Sequence, residues 1–95
     1  MTSKQRAYLR GLANPLQAKY QIGKSGVEEN FIKQIDNALE ANELIKITIL
    51  ETALLSGREA ATALCEELGA EYIQIIGNRI VLYRESKKNK KIILP

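Results

Sequence analysis

The sequence contains no histidine and no tryptophan, and it has only one cysteine and one phenylalanine. It therefore lacks the clusters of nitrogen and sulfur ligands that zinc prefers, and no nucleophile stands beside a plausible base. The lone Cys65 cannot form an internal disulfide, and we interpret it as a small buried thiol. The composition predicts a binding protein rather than an enzyme, with no metal and no cofactor.

Long apolar runs are also missing. No stretch of about eighteen apolar residues could form a transmembrane helix, and the first residues, MTSKQRAYLR, lack the apolar centre of a signal peptide. We therefore expect a cytoplasmic protein with no membrane partner. The length predicts a single domain spanning residues 1–95, because a chain of this size has room for one hydrophobic core.

Charge is distributed unevenly along the chain, although the net charge is only +3. Residues 1–26 carry five bases and no acid, residues 27–76 carry three bases and ten acids, and residues 77–95 carry six bases and one acid. If the fold brings the two ends together, one face is basic and the rest is acidic. That pattern is expected of a protein that binds a polyanion. The alternative is a surface of salt bridges without a partner.

The sequence predicts three helices, at about residues 3–12, 27–41 and 56–69. Thr2 with Gln5, and Ser56 with Glu59, match the capping-box pattern that begins a helix. Between them, apolar residues recur at helical spacing from Phe31 onward.

Strands are predicted at residues 18–22, within ELIKITILE (residues 43–51), and on both sides of Gly77-Asn78, a pair typical of a tight hairpin. The element order is α-β-α-β-α-β-β. Alternating strands and helices imply parallel strand pairs, and the hairpin adds an antiparallel pair. The predicted fold class is α/β, with a four-stranded mixed sheet packed against helices.

The stretch AKYQIGKS (residues 18–25) nearly matches the phosphate-binding pattern G-x-x-x-x-G-K-[ST], with Ala18 in place of the first glycine. Such a loop must be irregular, whereas residues 18–22 are predicted to form a strand. What remains is GKSG (residues 23–26), a G-x-x-G turn of the kind that clamps a nucleic-acid backbone in KH domains. By itself, the tetrapeptide also fits a plain tight turn.

Four ordered segments, LRGLANPLQAKYQIGKSGV, NALEANELIKITIL, GAEYIQIIGNRIVLYR and KKNKKIILP, cover nearly the whole chain. Together they resemble the YhbY-type CRM domain, the chloroplast RNA splicing and ribosome maturation family. The resemblance implies a stand-alone bacterial RNA-binding protein with a fold similar to the C-terminal domain of bacterial initiation factor three. It also implies a role in assembly of the large ribosomal subunit, on precursor ribosomal RNA or a pre-ribosomal particle, and no small-molecule substrate.

Under this hypothesis, the protein recognises the backbone and shape of RNA. Gly23 and Gly26 shape the loop, while Lys24 and Ser25 contact phosphate. The other predicted contacts are basic residues near the two chain ends: Lys4, Arg6, Arg10, Lys19, Arg79, Arg84, Lys87, Lys88, Lys90 and Lys91. The last four belong to a predicted basic tail at about residues 85–95.

Two alternative functions remain open at this point: a protein-interaction module with an acidic partner, and a small nucleotide-binding protein that uses Lys24. Arg6 is expected to point mostly to solvent. Tyr72 and Tyr83 are predicted to pack in the core, whereas Tyr8 and Tyr20 are left open as surfaces for base stacking.

Overall fold

The computed structural model describes all 95 residues and contains seven elements in the predicted order. The helices are α1 (Ser3–Ala13), α2 (Glu29–Asn42) and α3 (Gly57–Leu68), and the strands are β1 (Tyr20–Ile22), β2 (Leu44–Ile49), β3 (Glu71–Ile76) and β4 (Arg79–Tyr83). The predicted fold class is confirmed. The main difference is that β1 has three residues instead of the five predicted.

Both predicted capping boxes are present. The hydroxyl of Thr2 accepts a hydrogen bond from the backbone N–H of Gln5, whose side chain accepts one from the N–H of Thr2, each at 3.1 Å. Ser56 and Glu59 make the same pair of bonds at the start of α3. By contrast, α2 begins without any capping side chain. Two of the three helix starts are therefore fixed by local sequence alone.

The sheet has the strand order β1-β2-β4-β3. Strand β1 runs parallel to β2, and β4 is antiparallel to both β2 and β3. Ile22, at the end of β1, lies opposite Ile49, whose N–H donates to the carbonyl of Asn78 at 2.6 Å. The GKSG loop after β1 and the Gly77-Asn78 turn therefore lie at the same end of the sheet.

Helices cover the two faces of the sheet unequally. Thirteen buried residues lie between the sheet and helices α2 and α3, and these include Ile45, Ile47 and Ile49 of β2. We call this side the α2/α3 face. A second cluster of six buried residues, with Leu9 of α1 at its centre, covers part of the other side, which we call the α1 face. Because side chains alternate along a strand, Lys46 lies on the α1 face.

The tyrosine predictions have mixed outcomes. Tyr83 is buried in the α1-face cluster, as predicted. The prediction that Tyr72 packs in the core is wrong, because this side chain lies on the edge strand β3 and is 46% exposed. Its ring lies beneath the guanidinium of Arg6, 5.4 Å from the carbon at the centre of that group.

The C-terminal tail, residues 85–95, contains no helix or strand, yet it is fixed to the end of α2 by Glu43. One carboxylate oxygen of Glu43 accepts the N–H groups of Lys91 and Ile92, both at 2.7 Å, and the other accepts that of Ser86 at 2.8 Å. Glu43 is fully buried and has a φ of +66°, the only positive φ outside glycine. These hydrogen bonds help to hold Glu43 in a backbone conformation that is unfavourable for an L-residue.

Glu40 holds the same tail from one turn earlier in α2. Its carboxylate accepts the hydroxyl of Ser86 at 2.7 Å and the N–H groups of Lys87 and Lys88 at 3.2 and 3.1 Å. These hydrogen bonds lower the pKa of Glu40. At Glu43, burial acts to raise the pKa, but the three backbone donors outweigh it and the pKa is lowered. We call this arrangement of the two glutamates and the tail the carboxylate clasp.

Candidate nucleic-acid interface

The GKSG loop is a tight turn with free backbone donors. The N–H of Gly26 donates to the carbonyl of Gly23 at 3.0 Å, and Gly26 has a φ of +67°. The N–H groups of Gly23, Lys24 and Ser25 have no acceptor within the chain. The side chain of Lys24 is exposed. The loop therefore presents several donors and a positive charge, which suit a phosphate.

The start of α2 contributes less to such a site than its dipole would suggest. Glu28 occupies the N-cap position, and Glu29 lies in the first turn, where it pairs with Lys33 at 3.7 Å as its spacing predicts. These carboxylates already complement the positive end of the helix. The anion-binding capacity therefore lies in the loop itself.

Arg84 was predicted as an RNA contact, but its guanidinium is occupied within the protein. One nitrogen donates to the carboxylate of Asp36 at 2.6 Å and to the carbonyl of Leu68 at 3.1 Å, and another donates to the carbonyl of Asp36 at 3.0 Å. Its side chain is only 17% exposed. Arg84 joins β4 to α2 and α3, which is a structural role.

Arg6 is likewise engaged inside the protein. It donates to the carbonyl of Tyr72, lies over the ring of that residue and pairs with Glu71 at 3.5 Å. The expectation that Arg6 points mostly to solvent is wrong, because the N-terminal half of α1 leans on the edge strand β3. The neighbouring predicted contacts are less confined: Lys4 is exposed, and Arg10 is half-buried in the last turn of α1.

The lysines of the tail do not lie beside the GKSG loop. Lys87 and Lys88 are bound through their backbones to Glu40, near the start of β2, whereas the loop lies beyond its end. Six residues of strand separate the two regions by about 20 Å. Lys90 pairs with Glu85 at 3.1 Å. The fold thus places this part of the tail at the opposite end of the sheet.

Other bases do come together on the α1 face. Lys19 and Lys91, from the two ends of the chain, line one groove together with Lys46. Lys46 and Arg79 line a neighbouring depression, with Arg79 at the first position of β4, opposite Thr48. None of these four bases makes an ion pair. They form a continuous basic region on the sheet surface.

Lys46 is not among the predicted contacts, because it lies in the acidic middle of the chain. The signal was nevertheless present. In β2, Ile45, Ile47 and Ile49 alternate with Lys46 and Thr48, so the lysine must lie on the face opposite the isoleucines.

Acidic residues are concentrated on the other side of the sheet. Seven of the eleven lie in α2 or α3 or at the N-cap of α2: Glu28, Glu29, Asp36, Glu40, Glu59, Glu66 and Glu67. The fold therefore converts the uneven charge of the sequence into one basic and one acidic face. No group of three or more Cys, Asp or Glu residues could hold a metal ion. None of the helices has the length and apolar character needed to cross a membrane.

The near-match to a nucleotide-binding loop is not supported by the fold. Residues 20–22 form strand β1, as predicted, so they cannot wrap a phosphate. None of the four cavities in the structure is lined by a residue of the GKSG loop. The loop lies on an open surface, which suits a large ligand better than an enclosed nucleotide.

Fold and charge together define a small α/β domain with one basic and one acidic face and an exposed glycine loop. The family model of the CRS1/YhbY (CRM) domain matches residues 1–84. The chain belongs to this family, which confirms the resemblance identified in the sequence.

Similar proteins cover the chain from end to end. It is 47% identical over 95 residues to Probable RNA-binding protein YqeI of Bacillus subtilis (strain 168), covering 100% of this chain and 99% of that protein. It is 35% identical to an RNA-binding protein of Haemophilus influenzae, covering 95% of that protein. The solution structure of SAV1595 from Staphylococcus aureus superposes with a TM-score of 0.82 at 49% identity, covering 100% of this chain and 99% of that one.

Proposed function

We propose that this protein binds RNA through its α1 face and GKSG loop, and that it acts on large-subunit precursor ribosomal RNA during ribosome assembly. The observation that carries the proposal is the separation of charge across the sheet. Lys19, Lys46, Arg79 and Lys91 are free of ion pairs on one face, while the acids lie mostly on the other. The names of the relatives in Bacillus subtilis and Haemophilus influenzae support RNA as the ligand.

The mode of recognition follows from the types of group available. The free N–H groups of Gly23, Lys24 and Ser25 and the ammonium groups of the α1 face suit phosphate oxygens, which every RNA presents. The chain has one phenylalanine and no tryptophan, so the sheet cannot serve as the aromatic platform of an RRM domain. We therefore infer recognition of RNA backbone and shape, by binding without bond-making.

The first experiment measures affinity for a ribosomal RNA fragment as a function of salt. Each lost phosphate contact should reduce the log–log slope by about 0.7–0.9. We expect Lys24→Ala to reduce the slope by about that amount. Lys33→Ala is the matched control, because Lys33 lies on the α2/α3 face and pairs with Glu29; it should leave the slope unchanged. Equal slopes for the wild type and both variants would contradict a phosphate contact at Lys24.

The second experiment tests the role in assembly. Cell extract containing the tagged protein is separated on a sucrose gradient, and we expect the protein to sediment with precursors of the large subunit. Recovery only in free fractions would overturn the assembly role while leaving RNA binding intact. Capture of an acidic protein instead of RNA would support the alternative of a protein-interaction module. Tight binding of ATP or GTP that Lys24→Ala abolishes, with RNA binding intact, would support the alternative of a nucleotide-binding protein.

A further inference from the structure

A groove on the α1 face has the chemistry of a second binding site, separate from the phosphate site proposed at the GKSG loop. It has a volume of about 320 Å³ and runs between the segment after α1, the start of β1 and β2, and the C-terminal tail. This volume falls at the lower end of the range of about 300–1,000 Å³ for small-molecule sites. The groove has room for a group of modest size, such as a single nucleoside.

The wall of the groove is apolar and partly open to solvent. Leu12 and Leu16, each 37% exposed, face it from α1 and the segment that follows, and Leu44 and Ile92 line it from β2 and the tail. Tyr20 also lines the groove, although its half-buried ring packs against the cluster on the α2/α3 face. An apolar wall of this kind can cover the face of a planar ring and remove it from water.

The rim of the groove is positively charged. Lys19, Lys46 and Lys91 line it, and none of them makes an ion pair. No acidic residue is among the lining residues. A ligand with an apolar planar body and a negatively charged periphery is therefore complementary to this groove.

The side-chain carboxamides of Asn42 and Gln17 add groups that can form hydrogen bonds with the polar edge of a ligand. Asn42 donates from its side-chain nitrogen to the carbonyl of Ala38 at 3.1 Å, which leaves its side-chain oxygen without a partner. Gln17 is exposed and makes no hydrogen bond within the chain. Carboxamides present both donors and acceptors, which match the edges of a nucleobase.

We propose that this groove holds one unpaired nucleotide of a bound RNA. The base lies against Leu12 and Leu16, the carboxamides of Gln17 and Asn42 face its edge, and the three lysines hold the adjoining phosphates. The inference deepens the proposed RNA-binding function and rests on it. It adds a contact for single-stranded RNA to a surface otherwise suited to backbone recognition.

The test compares two RNAs with the wild-type protein. One is a stem–loop whose loop is entirely adenosine, and the other is the same stem–loop with every loop base replaced by an abasic residue. We expect the intact RNA to bind about fivefold more tightly, the gain from removing about 40 Å² of apolar base surface from water. Equal affinities would overturn the groove proposal while leaving RNA binding in place. Failure to bind either RNA would instead overturn the proposed function.

A pair of variants assigns the preference to the groove. Leu16→Glu introduces a carboxylate into the apolar wall, and we expect it to abolish the preference for the intact loop. Thr62→Glu adds the same charge at an exposed position of α3, on the other side of the sheet, and should retain the preference. A folded Leu16→Glu protein that still prefers the intact loop would overturn the assignment.

Competition with free adenosine monophosphate tests whether the groove binds a nucleotide of RNA or a free nucleotide. We expect it to compete only weakly with the stem–loop, because it lacks the flanking phosphates that bind elsewhere on the α1 face. Competition at the same concentrations as the stem–loop would show that the groove takes a free nucleotide instead. Should Leu16→Glu fail to fold, the comparison of intact and abasic loops in the wild-type protein still decides the proposal.

Discussion

The GKSG loop and the C-terminal tail are both basic, but they use their backbone N–H groups in opposite ways. In the tail, the N–H groups of five residues donate to the carboxylates of Glu40 and Glu43: Ser86, Lys87, Lys88, Lys91 and Ile92. In the loop, three successive N–H groups have no acceptor in the protein. The backbone N–H groups of the tail are already bound to carboxylates of the protein, whereas those of the loop are free to bind an external anion.

This difference shows that a positively charged segment can be engaged within the protein, so its charge does not establish that it is free to bind a ligand. Lys87, Lys88 and Arg84 were all predicted as RNA contacts on the basis of charge. The guanidinium of Arg84 donates hydrogen bonds to Asp36 and Leu68. The backbone N–H groups of Lys87 and Lys88 donate to the carboxylate of Glu40. The groups that remain without partners are a better guide to the binding surface.

The largest effect should come from breaking the clasp. Glu43→Ala leaves three buried or half-buried N–H groups without an acceptor, so we expect it to lower the free energy of unfolding by about 3 kcal/mol. Urea denaturation measures this change. Glu66→Ala, at an exposed position of α3, is the matched control and should have little effect. A Glu43→Ala protein as stable as the wild type would contradict a stabilising clasp.

Acid should loosen the same region. The pKa of Glu40 lies below its ordinary value of 4.5, chiefly because the hydroxyl of Ser86 and the N–H groups of Lys87 and Lys88 favour the charged form. The stabilisation is therefore fully present above that ordinary value and is lost as the pH falls through the lowered pKa. We expect the stability difference between the wild type and Glu40→Gln to shrink as the pH falls below 4.5. Urea denaturation across this pH range measures the difference in the free energy of unfolding. A difference that does not change with pH would contradict a stabilising role for the ionised carboxylate of Glu40.

In the loop, Gly26→Asp should weaken RNA binding about tenfold, because its carboxylate would repel a phosphate held by the neighbouring N–H groups. It should also cost about 1 kcal/mol of stability, since Gly26 has a positive φ. Gly69→Asp is the matched control, because Gly69 has nearly the same φ, +65°, and equally open surroundings at the end of α3. Equal RNA affinities in the two folded variants would remove the loop from the interface.

The smallest effect on the fold is expected at Gly23. A Cβ there would lie 3.5 Å from a methyl of Leu50 and 3.7 Å from the hydroxyl of Thr52, which are ordinary contacts. Gly23→Ala should therefore change the free energy of unfolding by less than about 0.5 kcal/mol. If RNA approaches the backbone closely here, its affinity falls a few-fold in a filter-binding titration. Unchanged affinity would show that the RNA keeps its distance from Gly23.

Much of the fold could be predicted from the sequence, because its signals are local. The two capping boxes connect residues three positions apart, and the isoleucines of β2 alternate within one strand. The prediction for Tyr72 failed because exposure on an edge strand depends on the position of β3 in the sheet, which no local pattern specifies.

The site was less predictable, because its decisive contacts are remote in sequence. Arg84 and Asp36 are 48 residues apart, and Glu43 and Ile92 are 49 apart. No spacing rule pairs such residues, so the sequence could not separate structural cations from free ones. Lys46 is different, since the alternation of β2 already placed it on the face opposite the isoleucines.

The register of β2 also limits which insertions, deletions and substitutions this protein can tolerate. Inserting or deleting one residue before Lys46 would turn the lysine toward α2 and α3 and expose the isoleucines on the α1 face. The packing of the core and the proposed interface would be lost together. Lys87 and Lys88 can instead be exchanged one at a time without loss of the fold, since Glu40 holds their backbone N–H groups, which almost every residue carries. The fold should therefore tolerate substitution well at Lys87 and Lys88 and poorly in β2.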